Sequence, residues 1–385
     1  RADRVVAQRW SEPFARERDR RVAEALSVPF ELFEGETLHP PGTLRTQGGT
    51  PYGVFTPFAR AFAAEAHVDA PLAAPRELPP LAPDTDIPSV PIPTCDELGI
   101  RRNPALLPGG EAAARQRLTR FLRGPARDYD TARDRLDLRG SSRLSQDLKF
   151  GTLSPREVWH AAGRSLERSA PNALRSFRNE LVWREFTHST LWDHPRVLDQ
   201  PYRERWLDFP WQNDEAAWDA WRRGMTGYPV IDAAARELLA EGFVPNRARM
   251  ITASFLTKHL LVDYRRGEAH FLEWLTDGDS AQNNAGWQWS AGCGMDSQPY
   301  FRIFNPVTQG EKFDPDGTYV KRWVPELARL PRKFVHAPFL APKSVLDAAG
   351  LRLGETYPEP IVEHSLARKR FLAIAEAHLG RPSGG

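Results

Sequence analysis

Residues 277–306 read DGDSAQNNAGWQWSAGCGMDSQPYFRIFNP. Two acids, Asp277 and Asp279, stand either side of Gly278 and precede Asn283, Asn284, Trp287 and Trp289. In a helix, residues two apart lie about 200° apart around the axis. One indole can then face an internal ligand while the other lines an outer pocket. Packing of both rings into a core is the plainer alternative. The acids do not read as a metal site, because no third or fourth ligand follows at a suitable spacing and no EF-hand loop is present. They are better matched to Arg249, or to polar groups of a ligand.

The chain has 385 residues, more than one core usually serves, so two domains are expected. Charged residues make up 26% and hydrophobic residues 41%, as in an ordinary globular protein. Twelve Trp residues imply a sizeable core or an aromatic-lined site. The net charge of +2 does not announce a nucleic-acid binder, although a local basic face is compatible with it. Cys95 and Cys293 lie far apart without metal-like spacing and read as reduced thiols of a cytoplasmic protein. No apolar run reaches the roughly 20 residues needed to cross a bilayer, so no membrane association is expected. Nothing calls for an obligate oligomer, and a monomer is expected.

Working outward, residues 4–10 (RVVAQRW) and 28–34 (VPFELFE) alternate like strands around a charged helix from Pro13 to Leu26. From about Ala70 to Gly110 prolines recur in APLAAPRELPPLAP and DIPSVPIP, which reads as an extended connector. Beyond it the pattern is helical: from Glu111, then Pro155–Ser165, Ala173–Trp192, Glu215–Arg223, Ile231–Ala240, Asn246–Tyr264 and Glu268–Leu275. In the helix from Asn246, the residues Ile251, Phe255 and Val262 share a face. No repeat of 20–50 residues is visible. The fold class is therefore mostly α. A partial α/β unit (1–70) is joined by a Pro-rich linker (71–110) to a large helical domain (111–385).

Four further constellations carry chemistry. In Gly140–Trp159 (GSSRLSQDLKFGTLSPREVW), the hydroxyls of Ser141, Ser142 and Ser145 surround Arg143, which suits an anion such as a pyrophosphate. Helix capping by Ser145 and Ser154 is the alternative. Glu180 and Trp183 in NELVWREF project from one helical face, so a carboxyl and an indole can read one planar ligand; a core Trp with a rim Glu is the alternative. In PNRARM, Asn246 and Met250 share a face beside Arg247, matching a base edge, an apolar wall and a phosphate, or else a cap with surface arginines. Arg302, Lys312, Lys321 and Arg322 near Tyr300, Phe301 and Phe304 suit a nucleic-acid surface or a solvated loop.

Together, DGDSAQNNAGWQWSAGCGMDSQPYFRIFNPVTQGEKFDPDG (277–317), SSRLSQDLKFGTLSPR, ELVWREF and TGYPVIDAAARELLAEGFVPNRARM closely resemble the DNA photolyase/cryptochrome family. Within it they are most similar to class I cyclobutane pyrimidine dimer photolyases. The resemblance implies a helical FAD-binding domain after a Rossmann-like α/β antenna domain. It implies FAD contacts from Tyr129, Ser141, Ser142, Arg143, Leu144, Ser145, Glu180, Arg249, Asp277, Gly278, Asp279 and Asn283, with an Arg249–Asp277 ion pair beside the flavin ring. Asn283 matches the position facing the flavin's reactive nitrogen, where an amide cannot donate a proton as a carboxylic acid can. Trp183 and Trp289 would flank a flipped-out dimer against Met250, with Glu180 bonding a thymine carbonyl. Asn246, Arg247, Arg133, Arg302 and Lys312 would engage the lesion and UV-damaged DNA. The implied reaction is electron transfer from excited reduced FAD to the dimer, with ring splitting and return of the electron. The paired histidines typical of (6-4) photolyases are missing beside Pro245. A cryptochrome-like light sensor without repair activity is the rival reading.

Two departures from the family pattern stand out. The chain enters the antenna domain late, without the usual WFRRDLR-like opening. In EPFARERD (12–19), Phe14 and Ala15 stand where folate-binding members have Asn-Glu, which disfavours a folate antenna and leaves a deazaflavin, another flavin or none. The electron chain that photoreduces FAD usually has three tryptophans. Trp287 matches the proximal one and Trp211 the distal one, but the middle place holds Tyr264. A tyrosine is harder to oxidise without losing its phenolic proton, so slower or rerouted photoreduction is expected, through Trp274 or another nearby ring.

Overall fold

A computed structural model describes residues 3–77 and 90–380. Part of the expected linker, residues 78–89, lies outside the described residues. The strand β1 (Val5–Arg9) pairs in parallel with β2 (Phe30–Glu34), in register from Val5 opposite Phe30 to Arg9 opposite Glu34. Parallel neighbours need a crossover, and the helix Pro13–Ala25 supplies it, starting on a proline whose missing N–H costs nothing at a first helical position. Both strands and this helix fall within two residues of the sequence expectation.

The helix Phe55–Glu65 is an addition to the expected set. Its buried Phe55, Phe58 and Phe62 recur at three- and four-residue spacing and form one apolar stripe. That stripe joins a core with Leu118 and Phe121 of the helix Glu111–Arg123 and with Phe177, Leu181 and Phe186 of the long helix Pro171–Asp193. Residues ahead of the linker thus share a core with residues behind it. A second core gathers the helices Pro229–Glu241, Asn246–Lys258, Tyr264–Trp274, Ser280–Ala291, Thr318–Trp323 and His364–Leu379.

The expected helix Asn246–Tyr264 ends early, at Lys258, and the expected helix Glu268–Leu275 begins earlier, at Tyr264. Leu261 sits in the left-handed region at φ 53°. Its carbonyl accepts the backbone N–H of Gln212 at 2.8 Å. Asp263 then caps the next helix by accepting the Arg265 N–H at 2.9 Å. An aspartate that bonds nearby backbone N–H groups favours a helix start over a helix interior. Val262 is buried, but in this connection and not on the helical face with Ile251 and Phe255.

In the stretch TGYPVID, Asp232 is fully buried. It accepts the Thr226 N–H and hydroxyl, both at 2.7 Å, the Gly227 N–H at 3.1 Å and the Tyr357 hydroxyl at 2.6 Å. Four donors compensate the burial of one carboxyl. This network ties the turn before the helix Pro229–Glu241 to the C-terminal region, and that helix shares its core with the one that opens on Asn246.

Candidate functional site

The helix Ser280–Ala291 organises the site. Asp279 starts it, accepting the Gln282 N–H at 3.0 Å. Trp287 points inward and is 3% exposed, whereas Trp289 is half-buried on another side. The two indoles therefore divide between interior and outer wall, as their angular separation requires. Gly278 sits close against Leu272, where a Cβ would meet that side chain at 3.1 Å.

At the start of this helix, Arg249 Nη2 reaches both Asp277 oxygens, at 3.0 and 2.8 Å, while its Nε donates to the Val244 carbonyl at 2.7 Å. The expected ion pair is formed, with the Asp277 side chain 4% exposed. Burial would push the Asp279 carboxyl up, but the nearby His188, Arg184 and Lys149 and the Gln282 N–H hold it below the usual range. The Asn283 amide donates to the Glu268 carbonyl at 2.9 Å, which leaves its own oxygen as an acceptor.

The turn Gly140–Ser145 packs so closely that a Cβ on Gly140 would meet the Ala132 carbonyl at 2.7 Å. Arg143 adopts φ 52°, and its guanidinium bonds Glu241 at 2.7 Å and lies over the Phe243 ring at 4.1 Å. Leu144 anchors the turn in the core, while Ser141 and Ser145 stay exposed and Ser142 half-buried. Ser145 makes no cap bond, whereas Ser154 caps its helix by accepting the Arg156 N–H. The capping alternative thus holds for Ser154 and not for Ser145. Tyr129 is buried against Phe121 and Phe177, and burial together with the Glu180 charge pushes its phenol up.

On the long helix Pro171–Asp193, Glu180 is ion-paired with Arg133, the two side chains 28% and 24% exposed. Burial pushes the Glu180 carboxyl up, while Arg133 draws it down. Arg133 lies 3.9 Å from Asp134, which in turn receives Arg247 at 2.8 Å. An ion-pair chain therefore links Glu180, Arg133 and Arg247. The Asn246 amide contacts Met250 Sδ at 3.7 Å, so these two do share a face. Trp183 and Trp289 are half-buried, and Arg302 and Lys312 are exposed outside this chain of pairs.

Trp287 meets the rings of Phe271 at 5.1 Å and Trp221 at 6.0 Å. Trp221 stacks on the half-buried Trp218 at 5.4 Å. Tyr264 is buried, its hydroxyl has no hydrogen-bond partner, and it makes no ring contact with Trp287 or Trp211 among the described residues. Trp211 packs instead on Phe209 at 4.5 Å and Trp206 at 6.2 Å. Among the described residues, Trp274 meets this group through His270 at 6.4 Å.

Several site neighbours carry no sequence signal of their own. The Glu268 carboxylate accepts the Asn284 amide at 3.0 Å, and burial pushes its pKa up to about 7. Asn284 and Gln288, one turn apart, bond each other at 3.1 Å and both bond the Val197 carbonyl. His188 receives or gives a hydrogen bond at Ser11 (2.6 Å) and lies 3.6 Å from Asp279. Among the described residues no group of three or more His, Cys, Asp or Glu could hold a metal ion, and no helix is long and apolar enough to cross a membrane.

The donor set fits a flavin dinucleotide: exposed hydroxyls beside an arginine for phosphates, paired acids for ring N–H groups, and an amide oxygen. Residues 177–377 match the FAD binding domain of DNA photolyase, and residues 1–79 match the DNA photolyase family. A deoxyribodipyrimidine photo-lyase of Agrobacterium fabrum is 43% identical over 98% of this chain and 80% of its own length. A solved bacterial class III photolyase from Agrobacterium tumefaciens is 42% identical with a TM-score of 0.87, over 99% of this chain and 80% of that one. A solved cryptochrome of Synechocystis is 29% identical with a TM-score of 0.87, over 97% of this chain and 79% of that one.

Proposed function

This chain belongs to the DNA photolyase family, and we propose that it repairs cyclobutane pyrimidine dimers in DNA in a light-driven reaction. The observation that carries the reading is the half-buried Glu180, ion-paired with Arg133 and one helical turn from Trp183. It offers a carboxyl to bond a carbonyl of the lesion and an indole to pack on one of its rings. Bound FAD, when reduced and excited, supplies the electron that splits the cyclobutane ring and takes it back.

The residues bind, orient and tune. Ser141, Ser142, Arg143 and Ser145 hold the phosphates, and Arg249–Asp277 with Asp279 hold the ring's polar edge. Asn283 offers its oxygen to the reactive nitrogen without a proton to give, which favours the reduced form. Trp183, Trp289 and Met250 wall the dimer, and the protonated Glu180 carboxyl donates to a thymine carbonyl as negative charge develops there. Asn246, Arg247, Arg302 and Lys312 engage the strand. Flipping costs least at a damaged, poorly stacked step, and this supplies part of the selectivity. The intact lesion set and Asn283 favour repair over a cryptochrome-like sensor.

The class I assignment is part of this proposal and rests on the motif resemblance; the solved neighbour at 42% identity is a class III photolyase. We read the protein as a cytoplasmic monomer with reduced Cys95 and Cys293. An exposed Phe14 and a buried Ala15 offer no polar side chain to a folate, so a second chromophore, if bound, is a deazaflavin or another flavin. The test is binding: Trp183→Ala should weaken dimer-containing DNA far more than undamaged DNA. Equal losses on both remove Trp183 from lesion recognition.

A further inference from the structure

The indole of Trp183 is not free on both sides. Phe55, from the helix Phe55–Glu65, lies flat on it with ring centroids 3.7 Å apart and planes 5° from parallel. Phe186 meets both rings edge-on, Trp183 at 5.8 Å and Phe55 at 5.9 Å. Phe55 itself is 8% exposed, whereas Trp183 stays half-buried. One face of the indole is thus covered, and its remaining exposure lies away from Phe55.

Phe55 is in turn fixed from an unexpected direction. The Asp296 N–H donates to the Gly53 carbonyl at 3.0 Å, and burial pushes the Asp296 carboxyl up while the Phe55 N–H draws it down. Asp296 adopts φ 43°, a left-handed conformation that aspartate tolerates better than most residues. It lies in the loop that leaves the helix carrying Trp289, next to the buried Met295 of the same core. Residues 53–55 therefore pin the Trp183 wall to the Trp289 helix.

We propose that Phe55 is a positioning residue for lesion recognition, backing one face of Trp183 so that the other is presented already oriented to a flipped-out dimer. The inference rests on the repair reading above. An unbacked indole would exchange rotamers and lose that freedom on binding. A flat aromatic partner removes most of this cost in advance, and Asp296 keeps the partner in place.

The experiment compares wild type, Phe55→Leu, Phe55→Tyr, Trp183→Ala and the Phe55→Leu/Trp183→Ala double variant. Flavin content and affinities for a thymine-dimer oligonucleotide and its undamaged twin are measured. Phe55→Leu should weaken dimer binding about 3- to 10-fold, the range of a lost aromatic pair. Undamaged binding and flavin content should not change. Phe55→Tyr, which keeps the ring, should bind the dimer within about twofold of wild type. In the Trp183→Ala background, Phe55→Leu should cost nothing further. Unchanged dimer binding in Phe55→Leu, equal loss on both DNAs, a Tyr variant as weak as Leu, or additive losses in the double variant each overturn the proposal. A wild-type protein that does not distinguish the two DNAs overturns the repair reading, and this inference with it.

Discussion

Trp287 packs edge-on against Trp221, with ring centroids 6.0 Å apart. Trp221 continues to Trp218 at 5.4 Å, so three indoles run from the core to a half-buried position. Tyr264 stands outside this contact path, and burial pushes its phenol up, which makes proton loss on oxidation harder. Photoreduction of the flavin should therefore fall roughly tenfold or more in Trp221→Phe, equivalent to about 1.4 kcal/mol or more on the barrier. It should change little in Tyr264→Phe. Flash photolysis of the two variants checks this, and a slow Tyr264→Phe with a normal Trp221→Phe reverses the assignment.

Arg133 draws the Glu180 carboxyl down against its burial. Removing the guanidinium in Arg133→Gln leaves burial and the Asp134 charge, both of which raise it, so Glu180 should hold its proton to higher pH than in wild type. The pH profile of dimer repair by the variant should show its carboxyl inflection shifted upward. Superimposable profiles would mean that the pair does not tune Glu180.

The half-buried Glu268 has its pKa raised by desolvation to about 7 from an ordinary value of 4.5. Between these values the folded state binds more protons than the unfolded state, so this group's contribution to stability is full below pH 4.5 and is lost as pH rises through 7. Glu268→Gln should accordingly gain in Tm relative to wild type on going from pH 5 to pH 8. Thermal melts across that range check the sign, and a parallel pair of curves would contradict it.

Asp232 accepts four hydrogen bonds in a fully buried position. Asp232→Ala strands all four donors and should cost about 3–5 kcal/mol, the range for stranding a buried polar partner set. Asp232→Asn, which keeps an acceptor oxygen, should cost less. Denaturant unfolding measures both, and a loss below that of an ordinary surface substitution would remove Asp232 as an anchor.

Much of the fold was legible because its signals are local. Proline at helix starts, two-residue alternation in Val5–Arg9 and the helical period through the second half all act over a few residues. The break after Lys258 was not legible, because the carbonyl of Leu261 is held by Gln212 and Asn213, far away in sequence. The Arg249–Asp277 pair and the inward and outward indoles of Trp287 and Trp289 followed from motif and helical geometry. Phe55, Trp221 and Glu268 gave no such signal. Each matters through a partner brought to it by tertiary packing, and an isolated Phe, Trp or Glu in a helix looks like core or surface.

The most direct measurement of the central claim is dimer loss under light. Purified protein loaded with FAD is mixed with a thymine-dimer oligonucleotide and reductant, then exposed to blue light. The dimer should disappear in the light and persist in the dark, with Glu180→Gln slowed and its flavin retained. Full flavin absorbance with no loss of dimer would contradict the account and favour a light sensor.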